Sequence, residues 1–235
     1  RTQAGQATAM GQMIRLTAPD GHEFEAYESA PAGAARGGLV VAMEMYGLTD
    51  YILSVCEYWA GHGYHAIAPA LFDRLGPGII VEYTEAGNKR GKELYPRNEW
   101  EDALTDLATA ADHVRGGGTG GKVGIMGFCY GGSLAWLAAC RRNFDAAVSY
   151  YGTNIVDFAD ETPNCPVICN IGAADNVLPP ERIAILRAAH PDLPIHIYPG
   201  AQHGFDNEMR PLRFDEGAMT LARERSLEFL AATIG

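Results

Sequence analysis

The chain has 235 residues, with 18 Lys and Arg against 29 Asp and Glu, for a formal net charge of −11 at pH 7. That length fits one domain, which buries enough surface to hold a water-excluded site without disulfide staples. The acidic balance and the lack of a basic run argue against nucleic-acid and membrane partners, and 47% hydrophobic with 20% charged residues excludes a disordered chain.

Residues 1–12 are rich in Gly, Ala, Gln and Thr and begin at Arg1. They read as a tail or added residues outside a domain spanning 13–235, with Met10 or Met13 as a candidate start. Met13 to Ala18 and Glu23 to Ser29 alternate apolar and polar residues around Pro19-Asp20-Gly21-His22, which predicts an antiparallel hairpin at a sheet edge. The later strands are short and almost wholly apolar: Gly38 to Met43, His65 to Pro69, Lys122 to Gly127, Ala146 to Tyr151, Pro166 to Ile171 and Pro194 to Tyr198. Runs of that kind are buried on both faces, as in a parallel sheet. Helical spacing lies between or after them over Thr49 to His62, Trp100 to Arg115, Gly131 to Arg141, Pro180 to His190 and Phe214 to Ala232. Alternation of this kind gives a three-layer α/β domain with right-handed crossovers around an open, mostly parallel sheet of about eight strands. Leu71 to Asn98 carries Gly, Pro and charge with little periodicity, and reads as an excursion over the top of the sheet that serves as a lid or binding loop.

Five cysteines (Cys56, Cys129, Cys140, Cys165 and Cys169) are an odd count without a C-x-x-C pair. A disulfide framework and a structural zinc site are both unexpected, and a reducing, cytoplasmic setting fits. Cys129 stands apart. Gly127-Phe128-Cys129-Tyr130-Gly131-Gly132 follows an apolar strand and opens a helix, a G-x-S-x-G turn with Cys in the serine's place. Such a turn lifts the thiol to the head of the helix, where the dipole favours a thiolate and the Tyr130 N–H faces an oxyanion. The plain alternative, a small buried hydrophobe in a glycine-rich turn, suits the other four cysteines better.

A sulfur nucleophile needs a base and a carboxylate to orient it, supplied by loops past the carboxyl ends of later strands. Asp175, just past the strand ending at Ile171, and His203, just past the strand ending at Tyr198, occupy those places in the expected order. Asp175 also reads as a turn or capping residue. Glu44 ends the buried run Leu39 to Met43, where a carboxylate is costly without a partner; it reads either as a helix cap or as part of the site. The loop after that strand is where an α/β-hydrolase supplies its second oxyanion donor, here the Met45 N–H. No nucleotide-binding glycine motif is present, and neither metal nor organic cofactor is required.

Glu44-Met45-Tyr46-Gly47, Leu71-Phe72-Asp73-Arg74, the Cys129 turn, Tyr150-Tyr151-Gly152, Asp175 with Pro179, and Pro199 to Phe205 together resemble the dienelactone hydrolase family, also called carboxymethylenebutenolidases. The resemblance implies a single-domain α/β-hydrolase fold and a Cys129, Asp175, His203 triad, with Glu44 hydrogen-bonded to the thiol and helping to generate the thiolate only when substrate arrives. It also implies arginines that hold a substrate carboxylate. None occurs in Gly204-Phe205-Asp206-Asn207, where the family carries one, and Asp206 would disfavour an anion there. Arg74, Arg90 and Arg97 are the candidates for the other. Tyr46, Tyr151 and Phe205 are expected as apolar walls. The expected substrate is a small ester or lactone, cleaved by a monomer or weak homo-oligomer. A broad esterase or thioesterase with side activity on phosphotriesters is the alternative, and a non-catalytic interaction protein on the same fold is a remote one.

Overall fold

A computed structural model describes residues 11–117 and 121–235. Most of the expected tail therefore lies outside the described residues, but Gln12 already belongs to the first strand, β1 (Gln12–Thr17), which pairs antiparallel with β2 (Glu23–Ser29). In chain order there follow β3 (Gly37–Ala42), α1 (Asp50–Gly61), β4 (Tyr64–Pro69), α2 (Glu85–Leu94), α3 (Trp100–Gly116), β5 (Val123–Phe128), α4 (Tyr130–Arg141), β6 (Ala146–Tyr150), β7 (Val167–Gly172), α5 (Pro180–Ala189), β8 (Ile195–Tyr198) and α6 (Glu216–Thr233).

The sheet runs β1-β2-β4-β3-β5-β6-β7-β8, with β2 antiparallel to β4 and every pair from β4 onward parallel. Every residue of β3, β5, β6 and β7 is buried, which is why these strands carry no polar alternation, whereas β1 is exposed at the edge. Two successive glycines show the three layers. A side chain on Gly37 would strike Ile234 just past α6, and one on Gly38 would strike Val114 of α3, so opposite faces of β3 are covered by different helices. No helix among the described residues is long and apolar enough to cross a membrane.

From β3 the chain moves to β4 on one side, then returns past β3 to lay down β5 on the other. That reversal opens a crevice above the carboxyl ends of β3 and β5, the place where open α/β sheets bind their ligands. Glu44 and Cys129 follow those two strands.

The expected excursion over Leu71 to Asn98 is more ordered than its composition predicts. It holds a 3₁₀ turn at Leu71–Arg74, helix α2, and a second 3₁₀ turn at Tyr95–Arg97. Helix α2 escapes an apolar-periodicity reading because two of its three buried positions are Gly87 and Gly91. Thr84 caps it by accepting the Gly87 N–H at 3.0 Å. The glycine at 91 is required by close approach, since a Cβ there would lie 2.8 Å from the Met45 carbonyl oxygen.

Candidate active site

Cys129 sits in the turn between β5 and α4 with φ 58°, ψ −115°, a conformation that costs a non-glycine residue about 1–3 kcal/mol. The turn is held because its neighbours leave no room for anything but glycine. A Cβ on Gly127 would fall 1.8 Å from the Gly131 carbonyl oxygen, and one on Gly131 would fall 2.1 Å from that of Ala42. The Cys129 N–H donates to Tyr150 O at 3.0 Å, and its carbonyl accepts the N–H groups of Gly132, Ser133 and Thr153 at 3.0, 3.3 and 3.2 Å. Hydrogen bonds from β6, α4 and the loop after β6 thus clamp the two peptide groups that flank this residue.

The structure brings His203 and Asp175 to this sulfur. His203 Nδ1 lies 2.8 Å from Asp175 Oδ2, while Asp175 Oδ1 accepts the N–H groups of Val177 and Leu178 at 2.8 and 3.0 Å. The imidazole also interacts with the Cys129 thiol, by a hydrogen bond and by charge. Burial would raise the Cys129 thiol, but the charge and hydrogen bond of His203, helped by Thr153, outweigh both burial and the charge of Glu44 and hold it below its ordinary value. Burial would likewise lower His203, and Cys129 and Asp175 reverse that and raise it. Both shifts favour a thiolate facing an imidazolium.

Glu44 is fully buried beside the cleft but makes a different contact from the one the resemblance implies. Its Oε2 accepts Tyr83 OH at 3.0 Å and Asn207 Nδ2 at 2.9 Å, its Oε1 has no partner among the described residues, and no hydrogen bond joins it to the thiol. Thr153 meets the sulfur instead, with Oγ1 3.2 Å from Sγ. Burial pushes the Glu44 carboxyl up, partly offset by Arg210, Tyr83, His203 and Asn207.

The cleft over the sulfur encloses about 440 Å³ and is lined by Met45, Tyr46, Tyr130, Thr153 and His203 among others, with Lys92, Arg210 and Arg213 at its wall. Met45 and Tyr130, the expected oxyanion donors, thus both line the cleft, and among the described residues neither N–H has a backbone acceptor of its own. Three of the expected lining residues are elsewhere. Arg74 does not line the cleft, because its guanidinium spans Asp106 Oδ1 and Oδ2 at 2.6 and 3.0 Å and Asp20 at 2.5 Å. Tyr151 and Phe205 are wholly buried behind the imidazole, with the Tyr151 ring 5.1 Å from that of His203 and 5.3 Å from that of Phe205. Neither Arg90 nor Arg97 lines the cleft. Asp206 poses no obstacle to an anion, since it is buried against Arg223 and Tyr51 at 2.7 Å each.

Sequence reasoning missed Thr153, Tyr83, Lys92 and Arg213. Thr153 had a signal, its place just past the carboxyl end of β6, the strand beside the one that leads into Cys129. Arg210 and Arg213 lie in the aperiodic loop after His203, and Arg210 stacks over the rings of Tyr46 and Tyr83 at 5.2 and 5.7 Å.

A sequence model of the dienelactone hydrolase family matches residues 24–234. The chain belongs to the dienelactone hydrolase family. The carboxymethylenebutenolidase of Pseudomonas putida is 32% identical over 225 residues, covering 93% of this chain and 95% of that protein. Carboxymethylenebutenolidase 1 of Cupriavidus pinatubonensis is 28% identical over the same shares. A structure from Klebsiella pneumoniae that bears the dienelactone hydrolase name superposes with a TM-score of 0.83 at 27% identity, covering 95% of this chain and 99% of that one. As a dienelactone hydrolase family member the chain is a hydrolase of ester or lactone bonds on an α/β-hydrolase fold, acting on small substrates.

Proposed function

We propose that this dienelactone hydrolase family member cleaves its ester or lactone by acyl transfer to the Cys129 sulfur. The observation that carries the reading is the buried line from Asp175 through His203 to Cys129, with the His203–Asp175 bond at 2.8 Å fixing which ring nitrogen faces the sulfur. The thiolate attacks the carbonyl carbon, and the C=O electron pair moves to oxygen, where the Met45 and Tyr130 N–H groups receive it. The tetrahedral species collapses as the His203 imidazolium gives its proton to the departing alkoxide, leaving a thioester. A water then attacks that thioester while His203 takes its proton, and the acid departs as the thiolate reforms.

Lys92, Arg210 and Arg213 line the cleft, and none of them forms an ion pair among the described residues of a chain of net charge −11. They favour a substrate bearing an anionic group over a neutral ester, in place of the arginine absent from Gly204 to Asn207 and the one that Arg74 does not supply. The test is Cys129→Ala against nitrophenyl acetate and a carboxylated lactone. Loss of turnover on both with an unchanged melting temperature is the expected result; turnover at the wild-type rate would overturn the mechanism.

A further inference from the structure

Among the described residues the sulfur hydrogen-bonds to His203 and Thr153, and only the first of these was expected. Thr153 grips Cys129 at both ends: its N–H donates to the Cys129 carbonyl at 3.2 Å, and its Oγ1 lies 3.2 Å from Sγ. The backbone bond places the residue, and β-branching stiffens its side chain, so the hydroxyl is aimed rather than free to swing. That hydroxyl has no other hydrogen-bond partner among the described residues. A thiol is a weak acceptor, whereas a thiolate accepts a charge-assisted bond, so a hydroxyl fixed at this distance discriminates between the two forms of sulfur.

Glu44, the carboxyl that the family resemblance places on the thiol, is instead engaged by Tyr83 and Asn207. We propose that Thr153 is a catalytic residue whose hydroxyl donates to the Cys129 sulfur, so that the resting nucleophile is a thiolate paired with the His203 imidazolium. This rests on the reading of Cys129 as nucleophile. The same bond acts twice in the cycle. It keeps sulfur charged before attack, weakens when sulfur becomes a neutral thioester, and reforms on the thiolate as that group leaves in deacylation.

The experiment is the pH dependence of alkylation by iodoacetamide, read as a single mass adduct. Cys129 is separable from the other thiols, because burial pushes Cys140 up to about 12 and Cys165 to about 11, and Cys56 and Cys169 are buried. Wild-type alkylation is expected to be fast at about pH 6, below the ordinary thiol range near 8.5. Thr153→Val is expected to slow it about tenfold at that pH, the size of one charge-assisted hydrogen bond, and Thr153→Ser to restore it to within about twofold. The proposal falls if the wild-type rate rises only in the ordinary thiol range, if the valine variant superimposes on wild type, or if serine is slowed as much as valine. Cys129→Ala separates the two claims. If it is inactive while Thr153→Val behaves as wild type, only the threonine's role is lost; if it remains active, the mechanism itself is lost.

Discussion

Asp175 holds His203 with one carboxylate oxygen, at 2.8 Å from Nδ1, and spends the other on the N–H groups of Val177 and Leu178 in its own loop. The carboxylate is therefore fixed before it meets the imidazole, and the ring cannot turn without breaking a buried bond. Burial alone would raise Asp175, but His203 and those two N–H groups outweigh it and hold the carboxyl below its usual value. A group depressed in the folded state stabilises the fold above its unfolded pKa, and that contribution is lost as pH falls through the lower, folded value.

Asp175→Asn is accordingly expected to reduce kcat/KM by about two to four orders of magnitude, because an amide no longer favours the charged imidazolium or the needed tautomer. The variant should also lose less stability than wild type on acidification. Ester turnover and denaturant midpoints at neutral and acid pH measure both effects; a kcat/KM within a factor of a few of wild type would remove Asp175 from the mechanism.

What could be read along the chain, and what could not, divides by distance in sequence. Cys129 follows its strand directly, and Asp175 and His203 lie in the loops just past theirs, so strand and loop grammar locates them. The state of Glu44 depends on Tyr83 and Asn207, 39 and 163 positions away, and no local pattern encodes that meeting. Arg74 looked available because Asp106, which captures it, belongs to α3. Asp206 looked repulsive for the same reason, its charge being answered by Arg223 of α6. Helix α2 was hidden by its glycines, where burial comes from backbone approach and leaves no hydrophobic signal.

Glu44→Gln tests whether that carboxyl activates the thiol or opposes it. Both donors to Glu44 fall on Oε2, and the oxygen without a partner is Oε1, so a glutamine can keep both bonds with its carbonyl and point its amide at the unused side. The charge of Glu44 works against the thiolate. Removing it is expected to speed alkylation of Cys129 by about two- to threefold near pH 6, a few tenths of a pKa step. A tenfold slowing would instead make Glu44 the base that takes the thiol proton.

Two arginines separate structural from substrate-binding roles. Arg74 is bound in two-pronged fashion to Asp106, whose side chain is wholly buried, so Arg74→Ala leaves a charge without its main partner inside the protein. Breaking such a pair costs about 3–5 kcal/mol, which a drop in the denaturation midpoint would show, with KM for a carboxylated ester unchanged in the folded enzyme. Arg210 makes no ion pair among the described residues and lies over two aromatic rings at the cleft wall. Arg210→Ala is expected to cost under about 1 kcal/mol of stability, yet to raise KM for a carboxylated ester about tenfold relative to its neutral analogue, as loss of a charge-assisted contact does. Equal effects on the charged and neutral esters would show that Arg210 only packs against Tyr46 and Tyr83, and the preference for an anionic substrate would then rest on Lys92 and Arg213.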